Sequence, residues 1–138
     1  MKIIHKEIMI KAPVEKVWRH LIDPKKMADW FLPTDSEARV GKHFTLGCAE
    51  QGTIYCEVRE VVPCEKLVYS FKAEIAKAET LVTFALFRFG EHTRLILTHS
   101  GWERLQPEEA AVFKMFEQGW GDHFLKRLKQ LLEVDDAR

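Results

Sequence analysis

The chain has 138 residues, with 21 Lys and Arg against 21 Asp and Glu and so no formal net charge. This balance argues against nucleic acid as the main partner, because phosphate binding needs a surplus of Lys and Arg. Hydrophobic residues make up 46% and charged residues 30%, the balance of a folded chain rather than a disordered one. Three cysteines, an odd count without a CxxC, do not make a disulfide framework. Cys48 and Cys56 are expected as reduced strand residues, with the option that they face each other across a hairpin turning at Glu50-Gln51-Gly52. No apolar run approaches a membrane span, and the first residues lack the apolar core of a signal peptide. The expectation is a cytoplasmic protein of one domain, residues 1–138.

From Ile3 to Lys11 apolar and polar residues alternate, which predicts a strand. Val14, Val17, Trp18 and Leu21 then follow at helical spacing, so a short helix is expected from Pro13 to about Ile22. Asp23-Pro24 reads as an N-cap followed by proline in the first turn, opening a second short helix to about Trp30.

From there to Ser100 the period is two. Strands are predicted at Ser36–Val40, His43–Ala49, Thr53–Val62, Lys66–Ala73, Glu79–Arg88 and His92–Ser100. The turn residues between them are few, which favours antiparallel neighbours. A last helix is predicted from Pro107 to about Glu133, with Phe113, Phe116, Trp120, Phe124, Leu128 and Leu131 in one stripe. The fold class is therefore α+β: an antiparallel sheet of about seven strands, counting the first, curved around one long C-terminal helix.

Strand parity sorts the candidate interior. Leu67, Tyr69 and Phe71 share a face, as do Val82, Phe84 and Leu86, and Leu95, Leu97 and His99. These sets are assigned inward. His99 is then a polar group on an apolar face, either a core histidine or a polar handle. Glu117 falls inside the helix stripe, about 40° from Phe113 on a regular wheel, where a carboxylate must find a partner or face a wet cavity. Gly119 and Gly121 flank Trp120 in mid-helix, each costing up to about 1 kcal/mol relative to alanine, which suggests a bend or a close backbone approach. The six histidines show no zinc-ligand spacing. No phosphate-binding glycine loop and no GxSxG is present, and no cofactor is expected.

Four stretches carry a resemblance. They are Ile10-Lys11-Ala12-Pro13-Val14-Glu15-Lys16-Val17-Trp18, Asp29-Trp30-Phe31, the run from Val58 to Phe71, and the run from Thr93 to Trp102, with Gly119-Trp120 and Leu128 beyond. In this order the chain resembles the START-like, helix-grip (SRPBCC) superfamily. The nearer branch is the one named for the activator of the heat-shock-protein-ninety ATPase, in its short stand-alone bacterial form.

The resemblance implies a small hydrophobic ligand, aromatic, polyketide-like or lipid-like, in a cavity between sheet and long helix. The expected lining is Trp30, Phe31, Phe44, Tyr69, Phe71, Phe84, His99, Trp102, Phe113, Glu117 and Trp120. Two alternatives stand beside this reading. One is a helix-grip enzyme of cyclase or hydrolase type using His99 and Glu117. The other is a chaperone-linked module with a protein partner.

Overall fold

The structure is a computed structural model that describes residues 3–32, 34, 41–48, 52–73, 79–104 and 110–136. Strand β1 (Ile4–Ile10) leads into helices α1 (Val14–Ile22) and α2 (Pro24–Trp30). Strands β2 (His43–Cys48), β3 (Gly52–Val62), β4 (Lys66–Ala73), β5 (Thr80–Phe89) and β6 (His92–Ser100) follow. A short 3-10 turn, Trp102–Arg104, precedes the C-terminal helix.

Local chemistry explains where the first elements begin. Pro13 is the N-cap of α1 rather than its first residue, with φ −68° and ψ 152°, and its carbonyl accepts from the amides of Lys16 and Val17. Asp23 caps α2 by accepting from the Lys25 amide at 2.9 Å, and Pro24 occupies the first turn. Both prolines stand where a missing N–H leaves no helical bond unmade.

The strands form one open antiparallel sheet in the order β1-β6-β5-β4-β3-β2. After β1 the chain crosses through α1 and α2 to the far edge, then returns strand by strand until β6 lies beside β1. Among the described residues the sheet has six strands, where about seven are expected from sequence. The additional one, Ser36–Val40, lies outside the described residues, as do the expected start of the last helix at Pro107 and the turn at Glu50-Gln51. Register also corrects the cysteine pairing: Cys48 stands opposite Gly52, and Cys56 opposite Phe44. Neither Cys56, which is buried, nor Cys64 forms a disulfide among the described residues.

The C-terminal helix is not uniform. It runs as α3 (Ala110–Gly119), a π-helical turn at Trp120–Leu125, and α4 (Lys126–Asp136). A π turn accommodates one extra residue, so the buried row steps from Trp120 to Leu125 and not to Phe124. The buried apolar side chains are Val112, Phe116, Trp120, Leu125, Leu128 and Leu132, while Phe113, Phe124 and Leu131 are partly buried against that core. A wheel of constant 100° cannot place these residues correctly beyond Trp120.

Gly119 caps the π turn and Gly121 lies inside it. The expected close backbone approach is not found: a Cβ at Gly119 or Gly121 would make only ordinary contacts, with Phe124 and with the end of Lys6.

The strand parities hold. Leu67, Tyr69, Phe71, Val82, Phe84, Leu86, Leu95, Leu97 and His99 are all buried on the face toward the helix. Thirty-one hydrophobic residues are buried in the described part of the chain, enough to make apolar burial the main stabilising term. Among the described residues no helix is long and apolar enough to cross a membrane.

Candidate functional site

Rings from α2, from the strands and from the long helix meet between sheet and helix. Phe31, at the end of α2, stacks on Trp30 at 5.2 Å and on Trp120 at 4.9 Å. Phe84 of β5 meets Trp30 and Trp120 edge-on at 6.3 and 5.9 Å. Tyr69 of β4 lies between Phe84 at 6.1 Å and Phe44 of β2 at 5.3 Å. A second group joins Phe71, His99, Trp102, Phe113 and Phe116 through contacts such as Phe71–Phe116 at 5.2 Å and Trp102–Phe113 at 5.3 Å. Offset and edge-on pairs of this kind add to the energy of burial alone.

His99 lies where the two groups touch, fully buried, and its ring is completely bonded. The Thr80 hydroxyl donates its single proton to the Phe71 carbonyl at 2.8 Å, so toward His99 Nε2, at 2.7 Å, it can only accept. Nε2 therefore carries the proton. Nδ1 accepts from the Trp120 indole N–H at 3.0 Å, and the Trp102 indole donates to the His99 carbonyl at 2.9 Å. This network assigns the neutral Nε2–H tautomer. A second proton on Nδ1 would point at the indole N–H. Burial alone drives the His99 pKa down to about 3.

Nine of the eleven expected lining residues are brought together in this interior: Trp30, Phe31, Phe44, Tyr69, Phe71, Phe84, His99, Trp102 and Trp120 are all buried. Phe113 is partly buried against the core. Glu117 stands one position past the buried row of Val112 and Phe116 and is partly exposed. Of the groups that could meet its carboxylate, His99 bonds Thr80 and Trp120 and Trp102 bonds the His99 carbonyl, while the Tyr69 hydroxyl is unbonded among the described residues. Glu117 precedes the π turn, so its place beside Phe113 and Phe116 is that of a regular helix.

Two residues of this interior were missed from sequence. Thr80 shares parity with Val82 and Phe84, so a hydroxyl on the inward face beside His99 was open to the same two-residue count. Phe116 belongs to the helix stripe but stands outside the expected lining.

The interior also holds a polar atom without a partner. The Tyr69 hydroxyl is buried and forms no hydrogen bond among the described residues, and the Thr34 hydroxyl is in the same state. Such a group costs roughly 1–3 kcal/mol when left unmade. Burial, and secondarily the nearby Cys56, hold the Tyr69 pKa well above its ordinary value, so the phenol is neutral. Among the described residues no group of three His, Cys, Asp or Glu is placed to hold a metal ion.

The outer surface carries a separate, open recess of about 380 Å³ lined by Arg59, Glu79, Thr80, Leu81, Ser100, Gly101 and Glu103. Arg59 is ion-paired there with Glu79 at 3.0 Å and with Glu57 at 3.1 Å.

Residues 11–133 match the family model described as Activator of Hsp90 ATPase homolog 1-like protein. The fold is similar to that of protein MLL2253 from Mesorhizobium loti, with 28% identity, a TM-score of 0.85, and 96% of this chain and 98% of that one covered. It is similar to protein BH1534 from Bacillus halodurans, with 31% identity, a TM-score of 0.79, and 96% and 98% covered. DynU16, of the dynemicin biosynthetic locus, shares the fold at 24% identity and a TM-score of 0.83, with 98% of this chain aligned to 48% of DynU16. No curated protein matches the chain.

Proposed function

The chain belongs to the Activator of Hsp90 ATPase homolog 1-like family, and from that premise we propose that it binds a small hydrophobic ligand between the sheet and the C-terminal helix. The observation that carries the reading is the composition of that interior. Rings from β2, β4, β5, α2 and the long helix converge there, with few polar atoms among them. Binding sites for small apolar molecules have this character: an apolar lining with a few placed hydrogen-bonding groups. Likeness in fold to a protein of a natural-product locus, DynU16, fits a ligand of aromatic or polyketide type.

In this reading Trp30, Phe31, Phe84 and Trp120 form one wall, and Phe44, Tyr69 and Phe71 continue it along the sheet. His99 acts as a fixed post that holds Trp120 in place. The enzyme alternative asks His99 to exchange protons with Glu117. That requires His99 to give up the bonds it makes to Thr80 and Trp120, so the geometry favours binding over turnover.

Equilibrium dialysis of the full chain against apolar aromatic, polyketide-like and fatty-acyl compounds tests the proposal. One class is expected to bind saturably, one molecule per chain, and to shield Trp30 and Trp120 from acrylamide quenching. Failure of every class to bind saturably overturns it.

A further inference from the structure

Buried hydrogen-bonding groups in this interior are matched with care. The Trp30 indole donates to the His20 carbonyl at 2.7 Å, and the Thr93 hydroxyl to the Ala12 carbonyl at 2.8 Å. Trp102, Trp120, Thr80 and both nitrogens of His99 are bonded as described above. Against that background an unbonded phenol is informative, because the large majority of buried polar atoms have partners. Tyr69 is 1% exposed, and its hydroxyl has none among the described residues.

Its place in the fold is equally specific. Tyr69 stands mid-sheet on the inner face of β4, opposite Val58 of β3 and Val82 of β5. On one side it meets Phe84, which touches Trp120 of the long helix; on the other it meets Phe44, whose ring contact among the described residues is Tyr69. The second unbonded hydroxyl, Thr34, belongs to the same end of the sheet, since Thr34 pairs with Leu46, two positions along β2 from Phe44. The phenol thus lies where the helix-covered half of the sheet gives way to the β2–β3 half.

We propose that the Tyr69 hydroxyl is the donor by which this protein selects, among flat apolar molecules, those that carry an acceptor oxygen such as an aryl ketone. The inference rests on the ligand-binding reading above and adds the chemistry of selection to it. A neutral phenol buried in apolar surroundings donates one proton, and a ligand carbonyl is the group that accepts it without bringing charge inside. His99 cannot play this part, because its one N–H is spent on Thr80. A hydrocarbon of the same shape would fill the space and leave the phenol as it is.

The test uses two ligands of one shape, 9-fluorenone and fluorene, which differ by a carbonyl in place of a methylene. Equilibrium dialysis measures both against the parent chain and Tyr69→Phe, with thermal melts of both proteins. The substitution is expected to weaken fluorenone about tenfold, as loss of one buried hydrogen bond predicts, and to leave fluorene within twofold. The melting temperature is expected to hold or rise, since an unbonded hydroxyl is removed.

If fluorenone is unchanged, or both ligands weaken equally, Tyr69 only packs and the proposal falls while the ligand-binding reading stands. If Tyr69→Phe melts well below the parent, the hydroxyl has a structural partner such as a buried water, and the proposal falls again. If neither compound binds the parent, selection of aryl ketones by this interior is overturned, and the broader reading is judged by the other ligand classes.

Discussion

The indole N–H of Trp120 donates to Nδ1 of His99 at 3.0 Å, joining the π turn of the last helix to the end of the last strand. The bond fixes two things at once. It sets which nitrogen of His99 carries the proton, and it sets the angle at which Trp120 meets Phe31 and Phe84.

Stability should therefore fall in mild acid. In the unfolded chain His99 takes up a proton below its ordinary pKa of 6.5, whereas in the folded chain it does so only near 3. The unfolded state binds more protons between these values, so stability is complete above 6.5 and is lost as the pH falls toward 3. By pH 5 the loss is about 2 kcal/mol. Glu15 and Glu133 have carboxyl pKa values lowered by Arg88 and Lys129 respectively, and their contributions are lost only below the ordinary carboxylate range. Denaturant titrations at pH 7.5 and 5 check the slope, and His99→Gln should flatten it. Equal slopes in the two proteins would refute the assignment.

Removing either partner of His99 should cost more than an average hydrogen bond, because the ring is left with an unmade group in a buried place. Trp120→Phe keeps a ring but deprives Nδ1 of its donor, and Thr80→Val deprives Nε2–H of its acceptor. Each should destabilise by about 2–3 kcal/mol, combining the unpaired group with lost packing. The double variant should cost less than the sum of the two, since both act through one ring. Urea midpoints of the four proteins give the cycle.

Backbone geometry makes opposite predictions at three small positions. Gly101 has φ +95° and a Cβ there would stand 3.2 Å from the Thr80 Cα, so Gly101→Ala should lose more than about 1 kcal/mol. Gly121 meets only the flexible end of Lys6 at 3.5 Å, and Gly121→Ala should gain about 0.5–1 kcal/mol. Cys64 holds φ +63° in the turn between β3 and β4, a conformation that suits glycine. Cys64→Gly should raise the melting temperature if relief of that conformation exceeds the loss of its side-chain contacts with the core. Thermal melts order the three.

Much of this was legible because alternation is a local signal. The inward sets on β4, β5 and β6 follow from a count of two, and the Asp23-Pro24 start of α2 follows from capping chemistry. The cysteine register was not legible, since it depends on the turn that joins β2 to β3 and a shift there moves every cross-strand partner. Beyond Trp120 the helix stripe was not legible, since a wheel of constant 100° has no place for the π turn that moves the buried row from Phe124 to Leu125. The Tyr69 hydroxyl was legible as an inward residue, but whether it is bonded is a property of its neighbours in space.

The π turn has a consequence for comparing this chain with its relatives. Taking one residue out of Gly121–Asp122 would bring Trp120, Leu125, Leu128 and Leu132 to spacings of four, three and four, the ladder of an ordinary α-helix. A relative one residue shorter at that point can present the same core without the widened turn. An alignment drawn through the segment with no gap would then set Phe124 of this chain against the relative's counterpart of Leu125. Every position from there to the C-terminus would be misassigned by one.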